Sequence, residues 1–257
     1  MLSFMIDKRA EYERMFRAEQ TLWWYRILHE KVSEQLQRQF PGQTDIAILD
    51  AGCGTGGLLL HLQQQGYTQL EGFDFSADGV AFSQSRGLRI SHHDIRNLAD
   101  YVPDKRFDAI ICNDVLMYIS DEAAASVLQT VRQRLKPNGL LISNNNAFDA
   151  FIGIHDYTVG GPKRFVLSDI RQFATKAGLH IRYATYWSLL LSPLILAIRS
   201  WQRFQIRRGW VDLSQATSDV DVPSAPVNRL LYSLVKAEGA LLKKLPFGSS
   251  LFTVMQA

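Results

Sequence analysis

The segment ILDAGCGTGG, residues 48–57, holds the most chemically suggestive spacing in the chain: Gly52, Gly54 and Gly57 fit a GxGxxG pattern directly after a short apolar run. Glycines in such a turn let the backbone come close to a bound nucleotide. Asp74 ends the next apolar run, where a carboxylate can hold ribose hydroxyls. Asp50, beside the loop, discriminates between ligands. It would repel the pyrophosphate of a dinucleotide and attract a cationic ammonium, directly or through water. The spacing alone leaves a nicotinamide dehydrogenase open, while the extra carboxylate favours a cationic ligand. Elsewhere, His155, Asp156 and Tyr118 could take a proton from a substrate. His92 and His93 have no metal-ligand companions, and Cys53 and Cys112 sit in apolar stretches that suit buried thiols, so no metal is expected.

The surrounding periodicity supplies a scaffold for these residues. Positions 7–38 are rich in helix formers and predict one or two N-terminal helices, ended by Pro41 and Gly42. Neighbours on a helix point about 100° apart, so Trp23, Trp24 and Tyr25 cannot all share a face, and one or two of them are expected in a pocket. From residue 46 the period shortens. IAILD (46–50), LEGFD (70–74), LRISH (88–92), FDAIICN (107–113) and LKPNGLLISN (135–144) read as strands, the last with a turn at Pro137-Asn138-Gly139. GLLLHLQQQG (57–66), 77–86 and 121–136 read as helices. This alternation implies an α/β fold with a parallel sheet covered on both faces. Asn113, at a strand tip, lies where ligands gather in such sheets. After Phe148 come a loop (149–166), a helix (168–177), a strand near 179–187 and an apolar stretch (188–198) running into RSWQRFQIRR. A polar, acidic loop (211–228), read as exposed, precedes a helix (229–245) and the strand SLFTVMQ (250–256).

The glycine segment resembles the first motif of the class I S-adenosylmethionine-dependent methyltransferases, and further matches follow in order. EGFDFS (71–76) resembles their second motif, which implies Asp74 on the ribose with Phe75 and Ser76 beside it. HHDI (92–95) is similar to the segment after the third strand, implying Asp94 near the adenine amino group and Ile95 against the ring. FDAIICNDVLMYISD (107–121) and LKPNGLLIS (135–143) resemble the fourth and fifth motifs. The resemblance implies a Rossmann-like sheet of about seven strands with an antiparallel last strand. It also implies a cofactor-binding set of Tyr25, Arg26, Asp50, Gly52, Gly54, Gly56, Asp74, Phe75, Ser76, Asp94, Ile95 and Asn113. A bacterial subgroup associated with glycan, lipid or secondary-metabolite pathways is similar over most of the chain, through EQTLWWYR (19–26), HDYTVGGPKRF (155–165) and PFGSS (246–250). From this likeness Arg26 would clamp the methionine carboxylate. Two positions depart: Gly161 stands where the subgroup has a histidine, and Lys163 replaces an arginine. The implied organisation is an N-terminal helical cap (1–42), a core (43–187 and 229–257) and an inserted cap helix with loop (188–228).

Methyl transfer is an in-line displacement that chiefly requires alignment and exclusion of water, with a base only where the acceptor must lose a proton. His155 and Asp156, in the loop after the fifth strand, are the leading base candidates, followed by Tyr118. A small-molecule or lipid-linked acceptor methylated on oxygen is favoured, with a noncatalytic cofactor-binding module as the alternative. Nucleic acid is not expected: Asn113-Asp114-Val115-Leu116 stand where amino-methylating nucleic-acid enzymes carry Asn/Asp-Pro-Pro-aromatic.

Composition frames this reading. The 257 residues are 47% hydrophobic and 21% charged, which excludes a disordered chain. Residues 7–13 carry charge before any apolar run, unlike a signal peptide, and Tyr183 to Ile198 is broken by Pro193 and short of the roughly 18 apolar residues that span a bilayer. A cytoplasmic location is expected, with 188–208 able to lie on a membrane. The net charge of +3 hides an asymmetry, because residues 160–210 hold nine basic side chains against Asp169 alone. Arg199, Arg203 and Arg207 would line one helix face, as a solvated surface, a lid over an acceptor pocket or an interfacial helix. The lid is favoured, and an anionic acceptor or surface is expected on that side.

Overall fold

IAILD becomes β1 (Ala47–Ala51), whose five residues are all buried, as befits a strand covered on both faces. The computed structural model describes residues 9–160, 163–213, 216–218 and 220–257. Gly161, the position of the missing histidine, and residues 1–8 lie outside the described residues. β1 sits centrally in a seven-stranded sheet with β2 (Gln69–Asp74), β3 (Ile90–His92), β4 (Phe107–Ile111), β5 (Leu135–Asn146), β6 (His180–Trp187) and β7 (Ser250–Gln256), ordered β3-β2-β1-β4-β5-β7-β6. β7 runs antiparallel to both β5 and β6, and the pairings among β1 to β5 are parallel. The expected α/β architecture with an antiparallel last strand is therefore the one observed. The strand order reverses at β1 and β4, so the carboxyl ends of these strands open a crevice.

Nine α-helices accompany the sheet among the described residues: α1 (Arg9–Ala18), α2 (Trp23–Gln39), α3 (Gly57–Gln64), α4 (Ala77–Ser85), α5 (Asp121–Arg134), α6 (Ile154–Thr158), α7 (Leu167–Ala177), α8 (Ser192–Arg207) and α9 (Ala225–Leu241). Local chemistry sets several boundaries. Ser76 caps α4 by accepting from the Gly79 N–H, and Ser120 caps α5 by accepting from Ala123, with Asp121 and Glu122 in its first turn and Arg132 and Arg134 in its last. α7 ends on Gly178 in the left-handed conformation. α5 and α7 bury Val127, Leu128, Val131, Ile170 and Phe173 on one sheet face. α2 buries Ile27, Leu28, Val32 and Leu36 with Ile48, Ile111 and Ile142 on the other, so this part of the N-terminal segment is a layer of the core rather than a cap.

Three local expectations change. Pro137-Asn138-Gly139 lies inside β5 as an irregularity: Phe107 pairs with Leu135 but Ala109 with Leu140, and Asn138 takes a φ of +64°. The last long helix starts at Ala225 rather than 229, because Pro226 sits in its first turn, where a missing N–H costs nothing. The loop before it is not simply exposed, since Ser218 is buried and bonded to Glu11.

Candidate functional site

At the carboxyl ends of β1, β2, β4 and β5 a cavity of about 500 Å³ opens, within the range that encloses small molecules. β1 delivers Asp50, and the following turn delivers Gly52 and Gly54 to the wall. Gly52 has a φ of +89°, and a Cβ there would lie 2.4 Å from Val115 Cγ2, so the turn closes only without a side chain. β2 delivers Asp74, whose carboxylate accepts from the Gly54 N–H (2.8 Å), the Ser76 N–H (2.8 Å) and the Tyr12 hydroxyl (3.4 Å). Phe75, Asp94 and Ile95 also reach the wall. Asp94 both lines the cavity and caps the 3-10 turn after β3, accepting from the Arg96 backbone N–H and guanidinium, which hold its carboxyl below the usual range.

The N-terminal motif explains how the glycine turn is held. Glu19 is buried between the Thr55 hydroxyl and the Arg86 guanidinium, the latter at 2.7 Å. A Cβ on Gly57 would strike Glu19 at 2.6 Å, so that glycine serves the close approach of α1. Trp23, Trp24 and Tyr25 all line the cavity, against the expectation of one or two. α2 begins at Trp23, so all three rings stand in its first turn at the cavity, with Leu28 and His29 lining it one turn further along. Trp24 stacks on Trp187 with centroids 5.6 Å apart. The PFGSS motif is a clip: a Cβ on Gly248 would lie 2.1 Å from the Trp187 carbonyl oxygen, and Phe247 packs on Phe148 and Phe151.

Several expected site residues do other work. Arg26 is exposed, its guanidinium 4.0 Å above the Tyr232 ring on α9, and does not reach the cavity. Gly56 caps α3 at a φ of +77°, and Ser76 is spent on α4 and Asp74. Asp156 is fully buried: one oxygen pairs with Arg164 (2.8 Å) and the other accepts from the Gly153 N–H (2.9 Å). With both oxygens engaged and no face on the cavity, it is an anchor for Arg164 rather than a base. His155, Tyr118 and Asn113 do line the wall, although the Asn113 side chain accepts from the Asn144 N–H at 2.9 Å. Burial raises the Tyr118 hydroxyl well above its ordinary range, so it is a donor at neutral pH. Lys163, at the other departure from the subgroup pattern, pairs with Asp121 at 2.5 Å.

The basic segment is likewise dispersed. Arg164 and Arg199 reach the wall, Arg203 donates to the carbonyl of Ile152 (2.9 Å), and Arg171, Lys176 and Arg182 are exposed on α7 and β6. Seven carboxylates line the cavity (Glu11, Glu19, Asp50, Asp74, Asp94, Asp114 and Asp221); Glu19 is paired with Arg86 and Asp94 with Arg96, and a cationic guest would favour the ionised form of those that burial holds protonated. Burial, with Glu19 and Asp74 nearby, pushes the Asp50 carboxyl up to about 8. His29, also on the wall, is lowered to about 3 by burial and stays neutral. Among the described residues no group of three or more His, Cys, Asp or Glu side chains is arranged to hold a metal.

Asp114 also lines the cavity, from the turn after β4. Its φ of +54° is left-handed, a strained conformation that aspartate tolerates better than most. Oδ2 accepts from Asn144 Nδ2 (3.0 Å), whose own Oδ1 accepts from Trp187 Nε1 (2.9 Å), while buried Oδ1 makes no well-formed hydrogen bond. Burial lifts this carboxyl to about 7, against the opposing pull of the Asn144 amide, Arg164 and the Asn146 backbone. The clue in sequence was an acid directly after a strand-tip asparagine, and nothing local announced the turn. Glu11 and Tyr12 on α1 also line the wall, as does Glu19 in the turn after it.

A family model described as a methyltransferase domain matches residues 24–189. Among curated relatives, phosphoethanolamine N-methyltransferase 1 of Arabidopsis thaliana is 32% identical over 40% of this chain and 21% of its own length. A ubiquinone biosynthesis O-methyltransferase of Rickettsia bellii is 24% identical over 47% of this chain and 55% of its own, and the one of Rickettsia canadensis is 25% identical over 69% and 85%. The chain thus spans between about a fifth and about half the length of the first two. Among solved structures, a SAM-dependent methyltransferase from Archaeoglobus fulgidus shares the fold at a TM-score of 0.56, with 14% identity over 89% of this chain and 94% of the other. Magnesium protoporphyrin IX methyltransferase from Synechocystis, solved with bound SAH, does so at 0.54, with 20% identity over 68% and 86%.

Proposed function

Because the chain belongs to the methyltransferase-domain family, we propose that it methylates a small-molecule acceptor, on oxygen, with S-adenosylmethionine as donor. The observation that carries this reading is the acid-rich cavity closed by Gly52, Gly54 and Asp74 at the strand tips. Fit to that cofactor is supported by the side-chain-free approach at Gly52 and by the carboxylate excess, which suits a sulfonium and an ammonium and opposes a pyrophosphate. Asp50, Gly52, Gly54, Asp74, Phe75, Asp94 and Ile95 are the residues that would hold it. When bound, the cofactor supplies an electrophilic methyl group on a cationic sulfur.

The remaining wall residues handle the acceptor. Trp23, Trp24 and Tyr25 exclude water and orient it through apolar contact. Asp114 Oδ1 accepts a hydrogen bond from the acceptor hydroxyl and takes its proton, a role matched by a carboxyl poised near neutrality. His155 is the second candidate for that proton, and Tyr118 donates to the acceptor. Oxygen as the methylated atom is supported by the ubiquinone biosynthesis O-methyltransferases among the relatives. The test is incubation with methyl-labelled S-adenosylmethionine and a metabolite extract: a labelled product sensitive to Asp114→Asn is expected. Tight cofactor binding with no transfer to any extract fraction would make the chain a binding module instead.

A further inference from the structure

α8 is amphipathic the wrong way round for a helix of a self-contained domain. Two of its arginines turn inward: Arg203 donates to the Ile152 carbonyl, and Arg199 lines the cavity, as does Ile195. Its apolar stripe faces outward, with Leu194 57%, Ile198 47% and Trp201 55% exposed at spacings of four and three. At its end Trp201, Phe204 and Trp210 form a three-ring cluster, with centroids 5.5 to 6.4 Å apart, and Arg208 lies 5.2 Å above Phe204. Trp210 is 62% exposed. Large apolar side chains ordered in a row on the solvent side mark a surface that meets something.

We propose that this outer face of α8 docks on an anionic lipid bilayer. The charge pattern selects that partner. No acidic residue occurs between Asp169 and Asp212, and Arg207 and Arg208 are exposed beside the aromatic cluster, so α8 itself presents apolar side chains with cations and no carboxylate. A second copy of the chain docking here through a two-fold contact would bring arginines together with no carboxylate on α8 to answer them. Aliphatic Leu194 and Ile198 have no role against nucleic acid, whereas aliphatic side chains followed by tryptophans match the acyl and headgroup layers of a bilayer. α8 has 16 residues and, among the described residues, no helix is long and apolar enough to cross a membrane, so α8 lies on the surface. Because the inner side of the same helix lines the cavity, docking brings the cavity wall next to the lipid.

Co-flotation of the full chain with phosphatidylglycerol-containing vesicles, against pure phosphatidylcholine vesicles, tests this without reference to activity. The wild type is expected to float with the anionic vesicles at low salt and to be released at high salt. Trp201→Glu with Ile198→Asp, and separately Arg207→Glu with Arg208→Glu, should each reduce binding about tenfold. These side chains are exposed, so thermal melting should be unchanged, which separates lost docking from lost folding. Wild type remaining in the soluble fraction at low salt overturns the proposal, as does vesicle binding that both variants retain. Concentration-dependent dimerisation abolished by the same substitutions would assign the face to a second copy instead.

Discussion

Asp50, Gly52, Gly54 and Asp74 reach the cavity from twenty-five consecutive residues, two adjacent strands and the turn after the first, whereas Trp23, Tyr118, Arg164, Ile195 and Val220 reach it from five separate segments. The first is held by backbone: Asp74 accepts from two N–H groups that neighbour it through the sheet. The second is held by side chains that reach across the fold, such as Trp187 on Asn144 and Arg164 on Asp156. A site made from main-chain geometry at a strand crevice suits a ligand common to a family, and one made from borrowed side chains suits a ligand particular to one protein.

The sharpest way to break this division is a substitution at a wall residue proposed to meet the acceptor, one that leaves cofactor binding intact. Asp114→Asn keeps the hydrogen bond to Asn144 but removes the proton acceptor, so kcat is expected to fall about 10²- to 10⁴-fold while cofactor Kd, measured by calorimetry, changes little. Equal loss of both would merge the two groups into one unit. The converse is Asp74→Ala, which leaves the Gly54 and Ser76 N–H groups without their carboxylate; cofactor Kd should rise about 100-fold.

A smaller effect comes from pH. The Asp50 carboxyl is raised to about 8 by burial, and a bound cation favours its ionised form, so affinity for the cofactor should climb with pH and level off above about 8. The sign for stability is opposite. The folded protein holds that proton more tightly than the unfolded chain, so the contribution is fully present below the unfolded carboxylate range and is lost as pH rises towards 8. Asp50→Asn should flatten both profiles, in titrations and in thermal melts across pH. Least affected is Ser218→Ala, which deletes one bond to Glu11 and should cost about 1 kcal/mol in denaturant unfolding, with cofactor affinity unchanged.

This division also decides what could be read from sequence. The sheet, its helices and the glycine turn were legible because each depends on local period and on residues such as Gly52 with few conformational substitutes. Asp74 and Asp94 reach the cavity because each ends a strand or starts the turn after it. Arg26 and Asp156 were misplaced because their partners, Tyr232 and Arg164, lie on elements whose packing no local pattern encodes. Asp114 was missed for a related reason: a left-handed turn at a non-glycine residue leaves no mark in composition. The number of basic residues in 160–210 carries no direction, and α8 turns Arg199 and Arg203 inward and Trp201 outward.

The central claim is that the acid-lined strand crevice receives S-adenosylmethionine, and calorimetric titration of the wild-type chain with that cofactor and, separately, with a nicotinamide dinucleotide tests it most directly. One site per chain for S-adenosylmethionine and no heat with the dinucleotide is the predicted result. Saturable binding of the dinucleotide, with none of S-adenosylmethionine, would contradict the account.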